Sequence, residues 1–139
     1  MALLRYILLV LIISAFSACH TISVDDCSTY DFSDCQTRKP DSALVSVTFS
    51  SSKITPEIYI ELFRGKTDHG EKIDSGYFSE GFTEFLLPVD QEYSAKAYYF
   101  KGKDTIIAID GCYLNRDYVK VCDSVCWEVN NPVLKLKLK

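Results

Sequence analysis

Cysteines are the residues in this 139-residue sequence whose chemistry and spacing are most informative. A thiol can be acylated, oxidised to a disulfide or used as a metal ligand, and the choice depends strongly on the cellular compartment. One cysteine follows an apolar N-terminal stretch, two lie in a polar segment after it, and three lie near the C-terminus. In chain order they are Cys19, Cys27, Cys35, Cys112, Cys122 and Cys126.

The first 18 residues have the pattern of a secretory signal peptide. Arg5 supplies a positive charge, residues 6–13 form an apolar run, and Ser14, Ala15, Ser17 and Ala18 are small. The apolar run is too short to span a bilayer, which needs about 20 residues. We therefore expect residues 1–18 to be removed on export, which places the mature protein where disulfides persist.

Phe16-Ser17-Ala18-Cys19 resembles the lipobox of bacterial lipoproteins. In that family the cysteine thiol receives a diacylglyceryl group, and cleavage makes the cysteine the new N-terminus. The resemblance implies lipidation at Cys19 and a cell-envelope location, anchored on the extracytoplasmic side of a membrane (the outer membrane or the cell surface). Phe16 departs from the Leu, Val or Ile that is usual there. Ordinary cleavage after Ser17, giving a secreted protein, is the alternative.

The remaining five cysteines predict disulfides. Short separations favour Cys27–Cys35 and Cys122–Cys126, each closing a small polar loop, with Cys112 left free. The alternative joins Cys112 to Cys122 or Cys126, and the sequence leaves this open because pairing depends on Cα separation. A zinc site at the three late cysteines lacks a fourth ligand nearby, so we expect no metal and no cofactor.

Composition and motifs argue against several classes of function. A formal net charge of −4, which becomes one unit more negative when Arg5 is removed, argues against nucleic acid as a partner. The sequence contains no phosphate-binding loop, calcium loop or dinucleotide fingerprint. Asp68-His69 is the nearest approach to a catalytic pair and is more typical of a solvated turn. We therefore expect no enzymatic activity.

The elements that must position these residues are β-strands. Strand-forming residues recur in seven segments, several of which alternate apolar and polar residues, at 44–49, 57–63, 72–75 (a weak edge strand), 82–87, 93–100, 105–109 and 133–139. This pattern predicts a polar tether at 19–42 with a disulfide loop, and an all-β domain at 43–139 with a long loop at 110–127. The residues expected in the core are Ile58, Ile60, Leu62, Ala95, Ala97, Ile107 and Leu136.

Two longer resemblances rest on particular stretches. Residues 85–97, Phe-Leu-Leu-Pro-Val-Asp-Gln-Glu-Tyr-Ser-Ala-Lys-Ala, resemble a signature of prealbumin-like sandwiches such as carboxypeptidase regulatory-like and Cna protein B-type repeats. This implies a seven-stranded antiparallel β-sandwich, although Asp90-Gln91-Glu92 stands where glycine usually precedes the tyrosine. Ala108-Ile109-Asp110-Gly111 and Cys122-Asp123-Ser124-Val125-Cys126-Trp127 are similar to stretches of small uncharacterised bacterial lipoproteins. That likeness implies a fold and an anchor, and no activity.

One group of aromatic residues is a candidate binding surface. Tyr98, Tyr99, Phe100 and Trp127 are suited to stacking on sugars or anchoring a peptide, although core packing is the alternative. The function we expect is a membrane-anchored, non-enzymatic binding or scaffolding module with an envelope protein or glycan as ligand. The alternatives are a hydrolase with an unrecognised site and a structural or assembly lipoprotein that pairs through a sheet edge.

Overall fold

The computed structural model describes residues 27–28, 31–51, 57–79 and 81–138. These ranges contain β-strands and no helix, which confirms the all-β prediction. They accordingly contain no helix that could span a membrane. The predicted signal peptide and Cys19 lie outside the described residues. In chain order the strands are β1 Ser42–Phe49, β2 Ile58–Arg64, β3 Glu71–Phe78, β4 Phe82–Pro88, β5 Gln91–Lys101, β6 Asp104–Leu114, β7 Arg116–Val121, β8 Ser124–Val129 and β9 Val133–Leu136.

The described strands form three sheets, with orders β4-β1-β9, β3-β2-β5-β6 and β7-β8. All pairings but one are antiparallel; β1 and β9 run parallel, with Val47 opposite Leu134. The prediction of a wholly antiparallel arrangement is therefore wrong at this pair. Parallel neighbours need a long connection instead of a hairpin, and the chain between β1 and β9 supplies one.

The three-stranded and four-stranded sheets share one hydrophobic core. Alternation along each strand puts every second side chain into this core, which explains why β5 buries Tyr93, Ala95, Ala97 and Tyr99 together. The first sheet contributes Val45, Val47, Phe49, Leu87, Leu134 and Leu136, and the second adds Ile58, Ile60, Leu62 and Leu114.

The core prediction is confirmed for six of its seven residues and wrong for Ile107. Ile107 is 48% exposed and lies opposite Tyr98, whose neighbours Ala97 and Tyr99 are buried. Successive side chains of a strand point to opposite faces, so Ile107 belongs to the outer face of the four-stranded sheet. Its β-branched side chain signals a strand without specifying which face is covered.

The turn between β4 and β5 is held by a buried tyrosine. Asp90 has a φ of 62°, a left-handed conformation that aspartate tolerates better than most residues. The Tyr93 hydroxyl donates a hydrogen bond to the Pro88 carbonyl at 2.7 Å, across this turn. Burial raises the pKa of Tyr93, so the hydroxyl keeps its proton at neutral pH. The Pro-turn-Tyr stretch therefore has a structural role.

A hairpin, β7–β8, replaces most of the loop predicted at 110–127, and β6 extends to Leu114. Arg116 attaches the base of this hairpin to the other sheets. Its guanidinium donates to the Pro40 carbonyl at 2.7 Å and pairs with the Asp90 carboxylate at 2.8 Å. The strand signal was present in residues 116–129, where β-branched and aromatic residues flank Cys122-Asp123.

Candidate functional site

The four aromatic residues of the predicted binding surface do not form one surface. Tyr99 is only 5% exposed; its hydroxyl donates to the Leu136 carbonyl at 2.6 Å and accepts from the Ser50 N–H at 3.0 Å. Tyr98 and Phe100 point to the opposite face of β5, as strand alternation requires. Trp127 lies on β8, in a different sheet. Tyr99 is therefore a core residue, which corrects the prediction.

The outer face of the four-stranded sheet carries a row of three tyrosines, which we call the tyrosine face. Tyr59 of β2 lies opposite Tyr77 of β3 on one side and Tyr98 of β5 on the other. The ring centroids of Tyr59 are 5.1 Å from Tyr77 and 5.7 Å from Tyr98, with tilted ring planes. Cross-strand aromatic pairs of this kind stabilise a sheet and order its surface.

Charged groups beside this row are fixed by hydrogen bonds. Glu61 accepts from the Tyr98 hydroxyl at 2.6 Å and from Lys72 Nζ at 3.2 Å. The Tyr98 hydrogen bond, followed by the contribution of Lys72, holds the pKa of Glu61 below its usual value. The same hydrogen bond raises the pKa of Tyr98 to about 12. At neutral pH the site therefore contains a carboxylate and a neutral phenol in a defined geometry.

β6 extends the tyrosine face with apolar side chains. Ile107 lies opposite Tyr98, and Ile109, which is 55% exposed, lies opposite Lys96. Lys96 Nζ lies 5.2 Å from the centre of the Phe63 ring. Tyr77, at the other end of the row, is 67% exposed. The face thus combines exposed aromatic and aliphatic groups with fixed charges, the composition of an interaction surface.

Tyr59 and Tyr77 were not among the site residues predicted from the sequence. The signal was available in β2, where the buried residues Ile58, Ile60 and Leu62 leave Tyr59 and Glu61 on the opposite face. Tyr77 could not be added from local pattern, because it meets Tyr59 only through the register of β3 on β2.

The disulfides join the N-terminal segment to the β7–β8 hairpin. The bonds are Cys27–Cys122 and Cys35–Cys126, with Cα separations of 6.0 and 4.9 Å. The predicted pairs within each short segment are wrong. Cys122 lies in the turn of the hairpin and Cys126 on β8, and each is bonded to a cysteine of the N-terminal segment instead of to the other.

Gln36 explains the observed pairing, because it forms an antiparallel bridge with Trp127. The Trp127 N–H donates to the Gln36 carbonyl at 2.8 Å, so the segment around Cys35 lies along β8. The disulfides also include Cys122 and Cys126, two of the three late cysteines that a zinc site would need. Within the described ranges, no cluster of three or more His, Cys, Asp or Glu side chains is arranged to hold a metal.

A second aromatic group lies on this hairpin, and we call it the hairpin patch: Tyr118, Lys120, Val125, Trp127 and, from the preceding segment, Lys39. Tyr118 lies opposite Trp127, with ring centroids 5.3 Å apart, and Lys120 lies opposite Val125. Lys39 Nζ lies 5.2 Å from the centre of the Trp127 ring. The patch therefore presents aromatic rings together with cationic side chains.

Cys112 is the free cysteine of the described chain and is half-buried against the core, as predicted. Burial raises the pKa of its thiol, and the nearby Asp110 carboxylate adds to the effect. A thiol with a raised pKa forms little of the nucleophilic thiolate at neutral pH. The arrangement is that of a packed side chain and not of a reactive nucleophile.

The Asp110-Gly111 pair joins two sheet edges. Asp110 Oδ1 accepts from the Gly111 N–H at 2.9 Å, and Oδ2 accepts from the Lys135 N–H of β9 at 2.7 Å. A Cβ on Gly111 would lie 3.4 Å from the Tyr93 carbonyl oxygen, in van der Waals contact with the neighbouring strand. The hydrogen bonds of Asp110 give the Ala108-Ile109-Asp110-Gly111 stretch a structural role.

His69 lies in the turn between β2 and β3, where its backbone N–H donates to the Lys66 carbonyl at 3.1 Å. Its side chain is exposed to solvent, in agreement with the interpretation of Asp68-His69 as a turn.

Comparison of the chain with models of protein families, with curated proteins and with solved structures finds no match in any of the three.

Proposed function

We propose that this protein is a lipid-anchored, non-enzymatic binding module of the bacterial cell envelope, and that it binds an envelope protein through the tyrosine face. The observation that carries the binding role is the ordered row Tyr77-Tyr59-Tyr98, exposed at Tyr77 and half-buried at Tyr59 and Tyr98, with the exposed side chains of Ile107 and Ile109 beside it. An anchored module of this kind holds a partner at the membrane without chemistry of its own.

The fold component of the proposal is a seven-stranded prealbumin-like sandwich with the β7–β8 hairpin inserted before its last strand. Three observations support it. β1 to β6 and β9 correspond to the seven segments expected from alternation, the first two sheets share a core, and the Pro-turn-Tyr stretch has a defined structural role. The parallel pairing of β1 with β9 is a departure from the fully antiparallel sandwich that the resemblance implies.

The anchor component rests on the signal pattern and the lipobox resemblance ending at Cys19. Two disulfides support export independently of these, because disulfides persist in extracytoplasmic compartments and are rare in the cytosol. Lipidation at Cys19 would place the domain on the extracytoplasmic side of a membrane. Cleavage after Ser17 would give a secreted form of the same domain.

The chemistry of the tyrosine face favours a protein over a glycan. Branched aliphatic side chains such as Ile107 and Ile109 gain from burial against apolar groups, which a polypeptide supplies more readily than a sugar. Tyrosines are enriched in protein interfaces, where a few such residues provide much of the affinity. The Glu61 carboxylate and the Lys96 ammonium add one negative and one positive charge to that surface, and such charges orient a partner.

The test is photo-crosslinking in living bacteria that produce the full chain. A photoreactive phenylalanine analogue replaces Tyr77 on the tyrosine face or, as a matched control, Phe82, which is exposed on the three-stranded sheet. The proposal expects a discrete protein adduct at position 77 that is absent at position 82. Adducts of equal yield at both positions, no adduct at either, or an adduct to peptidoglycan would overturn it.

A second candidate function, strand pairing by an assembly lipoprotein, is favoured by the edge of β6. The Gly111 N–H is bonded to Asp110 and the Tyr113 carbonyl accepts from Asn130 Nδ2, so backbone groups of odd-numbered residues point away from β5. The backbone N–H and C=O groups of Thr105, Ile107 and Ile109 therefore also point away from β5. Among the described residues no strand pairs with this stretch, which leaves an edge open to β-augmentation.

Proline at position 107 tests that candidate, because it removes an outward N–H without touching the β5 ladder. Strand pairing expects loss of the partner complex in Ile107→Pro and its retention in Ile107→Val. Loss in neither variant, with the crosslink from position 77 intact, would exclude edge pairing.

A further inference from the structure

We propose that the hairpin patch lies against the lipid headgroups of the membrane to which the protein is anchored. This inference rests on the lipid anchor at Cys19 proposed above. It adds an orientation: the β7–β8 end of the domain faces the bilayer. Both the covalent path from the anchor and the chemistry of the patch favour this orientation.

The disulfides shorten the path between the anchor and the folded domain. A fully extended chain spans at most about 3.6 Å per residue, so Cys27 lies within ~29 Å of Cys19. Cys27 is bonded to Cys122, at the turn of the hairpin, with a Cα separation of 6.0 Å. Without the disulfides the tether would reach to Ser42, where β1 begins, and its extended length would be ~83 Å.

The reach of the tether is comparable with the size of the domain. A folded domain of roughly 110 residues has a radius of gyration of about 13 Å and a diameter about three times that. Because Cys27 is bonded to Cys122, the tether limits how far the hairpin turn can lie from the bilayer, whereas other parts of the domain can lie farther away by up to its diameter.

The side chains of the hairpin patch suit the interfacial region of a bilayer. Tyr118 is 57% exposed and packs against Trp127, and both residue types prefer the headgroup level, where one end of the ring is apolar and the other is wet. Lys39 and Lys120 are exposed, and their apolar stems can lie along the rings while the ammonium groups reach phosphates.

The acidic residues of the hairpin strands are placed away from this face. Asp117 and Glu128 lie opposite each other in the register, one position away from the Tyr118–Trp127 pair, and so point to the other side of the hairpin. Asp123 is in the turn itself. The patch therefore presents cationic and aromatic groups together, as a surface facing anionic headgroups should.

Trp127 makes the inference directly measurable, because it is the single tryptophan of the chain. The full chain, produced in bacteria so that the signal segment is processed, is purified and reconstituted into phosphatidylethanolamine–phosphatidylglycerol vesicles. Some vesicles contain acyl chains brominated close to the headgroup, which quench nearby tryptophan. Incorporation of labelled palmitate and flotation with the vesicles report the anchor separately.

We expect a lipidated, floating protein whose Trp127 fluorescence falls in brominated vesicles. Lipidation and flotation without quenching would overturn the orientation and leave the anchored binding module standing. A protein that neither incorporates palmitate nor floats would overturn the anchor and, with it, this inference. The readouts therefore separate failure of the orientation from failure of the anchor.

Two variants with a matched control sharpen the result. Cys27→Ser with Cys122→Ser extends the tether to Cys35, and Lys120→Glu places a negative charge in the patch without changing any cysteine. Quenching should fall in both and stay at the wild-type level in Cys112→Ser, which removes the thiol outside the disulfides. Wild-type quenching in both variants would overturn the proposal.

Discussion

Asp110 on β6 accepts a hydrogen bond from the backbone N–H of Lys135 on β9 at 2.7 Å, and thereby joins the edges of two sheets. Its other carboxylate oxygen accepts from the Gly111 N–H. A charged acceptor satisfies a strand-edge donor more strongly than water does, so this side chain closes one side of the domain in place of a continuous ladder.

Replacing Asp110 should destabilise the fold. We expect Asp110→Ala to lower the free energy of unfolding by about 1–3 kcal/mol, because two backbone donors lose a charged acceptor. Asp110→Asn should be intermediate, since its amide keeps one acceptor oxygen. Urea denaturation at pH 7 measures the effect, with Asp104→Ala, an exposed change at the start of the same strand, as control. Equal stability of Asp110→Ala and Asp104→Ala would contradict this role.

Tyr98→Phe should change how stability depends on pH. The pKa of Glu61 is lowered, so its contribution is present above the unfolded pKa and is lost as the pH falls through the folded pKa. The pKa of Tyr98 is raised to about 12, so its contribution is complete below its ordinary value of 10.0 and is lost as the pH rises toward 12.

The variant removes the hydrogen bond that links these two groups. We expect Tyr98→Phe to cost about 1.5–3 kcal/mol at pH 7 and progressively less as Glu61 becomes protonated below its ordinary pKa of 4.5. Denaturation at pH 7 and at acidic pH measures the difference from wild type. A deficit that does not shrink in acid would show that the loss comes from packing alone.

Removing the disulfides should give non-additive losses. Whichever bridge forms first closes a loop of over 90 residues, and the lost chain entropy of the unfolded state is then worth ~4.7 kcal/mol of stability. Once Cys35–Cys126 is formed, Cys27–Cys122 closes a ring of only about 14 residues, which is worth ~3 kcal/mol. Loss of either bridge should therefore cost about 3 kcal/mol, and loss of both more than the two single losses added together.

Paired Cys→Ser variants of each bridge, and the fourfold variant, test that expectation by thermal and urea unfolding. Non-reducing peptide mapping should recover Cys27 with Cys122 and Cys35 with Cys126. Recovery of a Cys27–Cys35 peptide as the main species would contradict the structure.

Cys112 should be poorly reactive in the folded protein. Its thiol is half-buried and its raised pKa leaves less thiolate at pH 8 than an ordinary cysteine has. We expect alkylation by iodoacetamide to be slow under native conditions and to become fast in urea, with the other described cysteines protected as disulfides. Alkylation at equal rates in the two conditions would show that the thiol is accessible.

Local pattern was sufficient for much of the fold. Side chains alternate between faces with a period of two residues, a property of the strand itself, so Ile58, Ile60 and Leu62 could be placed in the core without knowing what covers them. The turn at Gly102, which has a φ of 66°, is similarly a local matter of backbone freedom. The unpaired state of Cys112 was also predicted correctly.

What the sequence by itself determined was therefore the class of element, the seven main strands and the face of most core residues. Only the tertiary structure decided the parallel pairing of β1 with β9, the Tyr59-Tyr77-Tyr98 row and the partners of the four bonded cysteines. Each of these depends on distances between residues far apart in the chain. Separation along a sequence limits how far two residues can be from each other, but burial and strand register determine which residues meet.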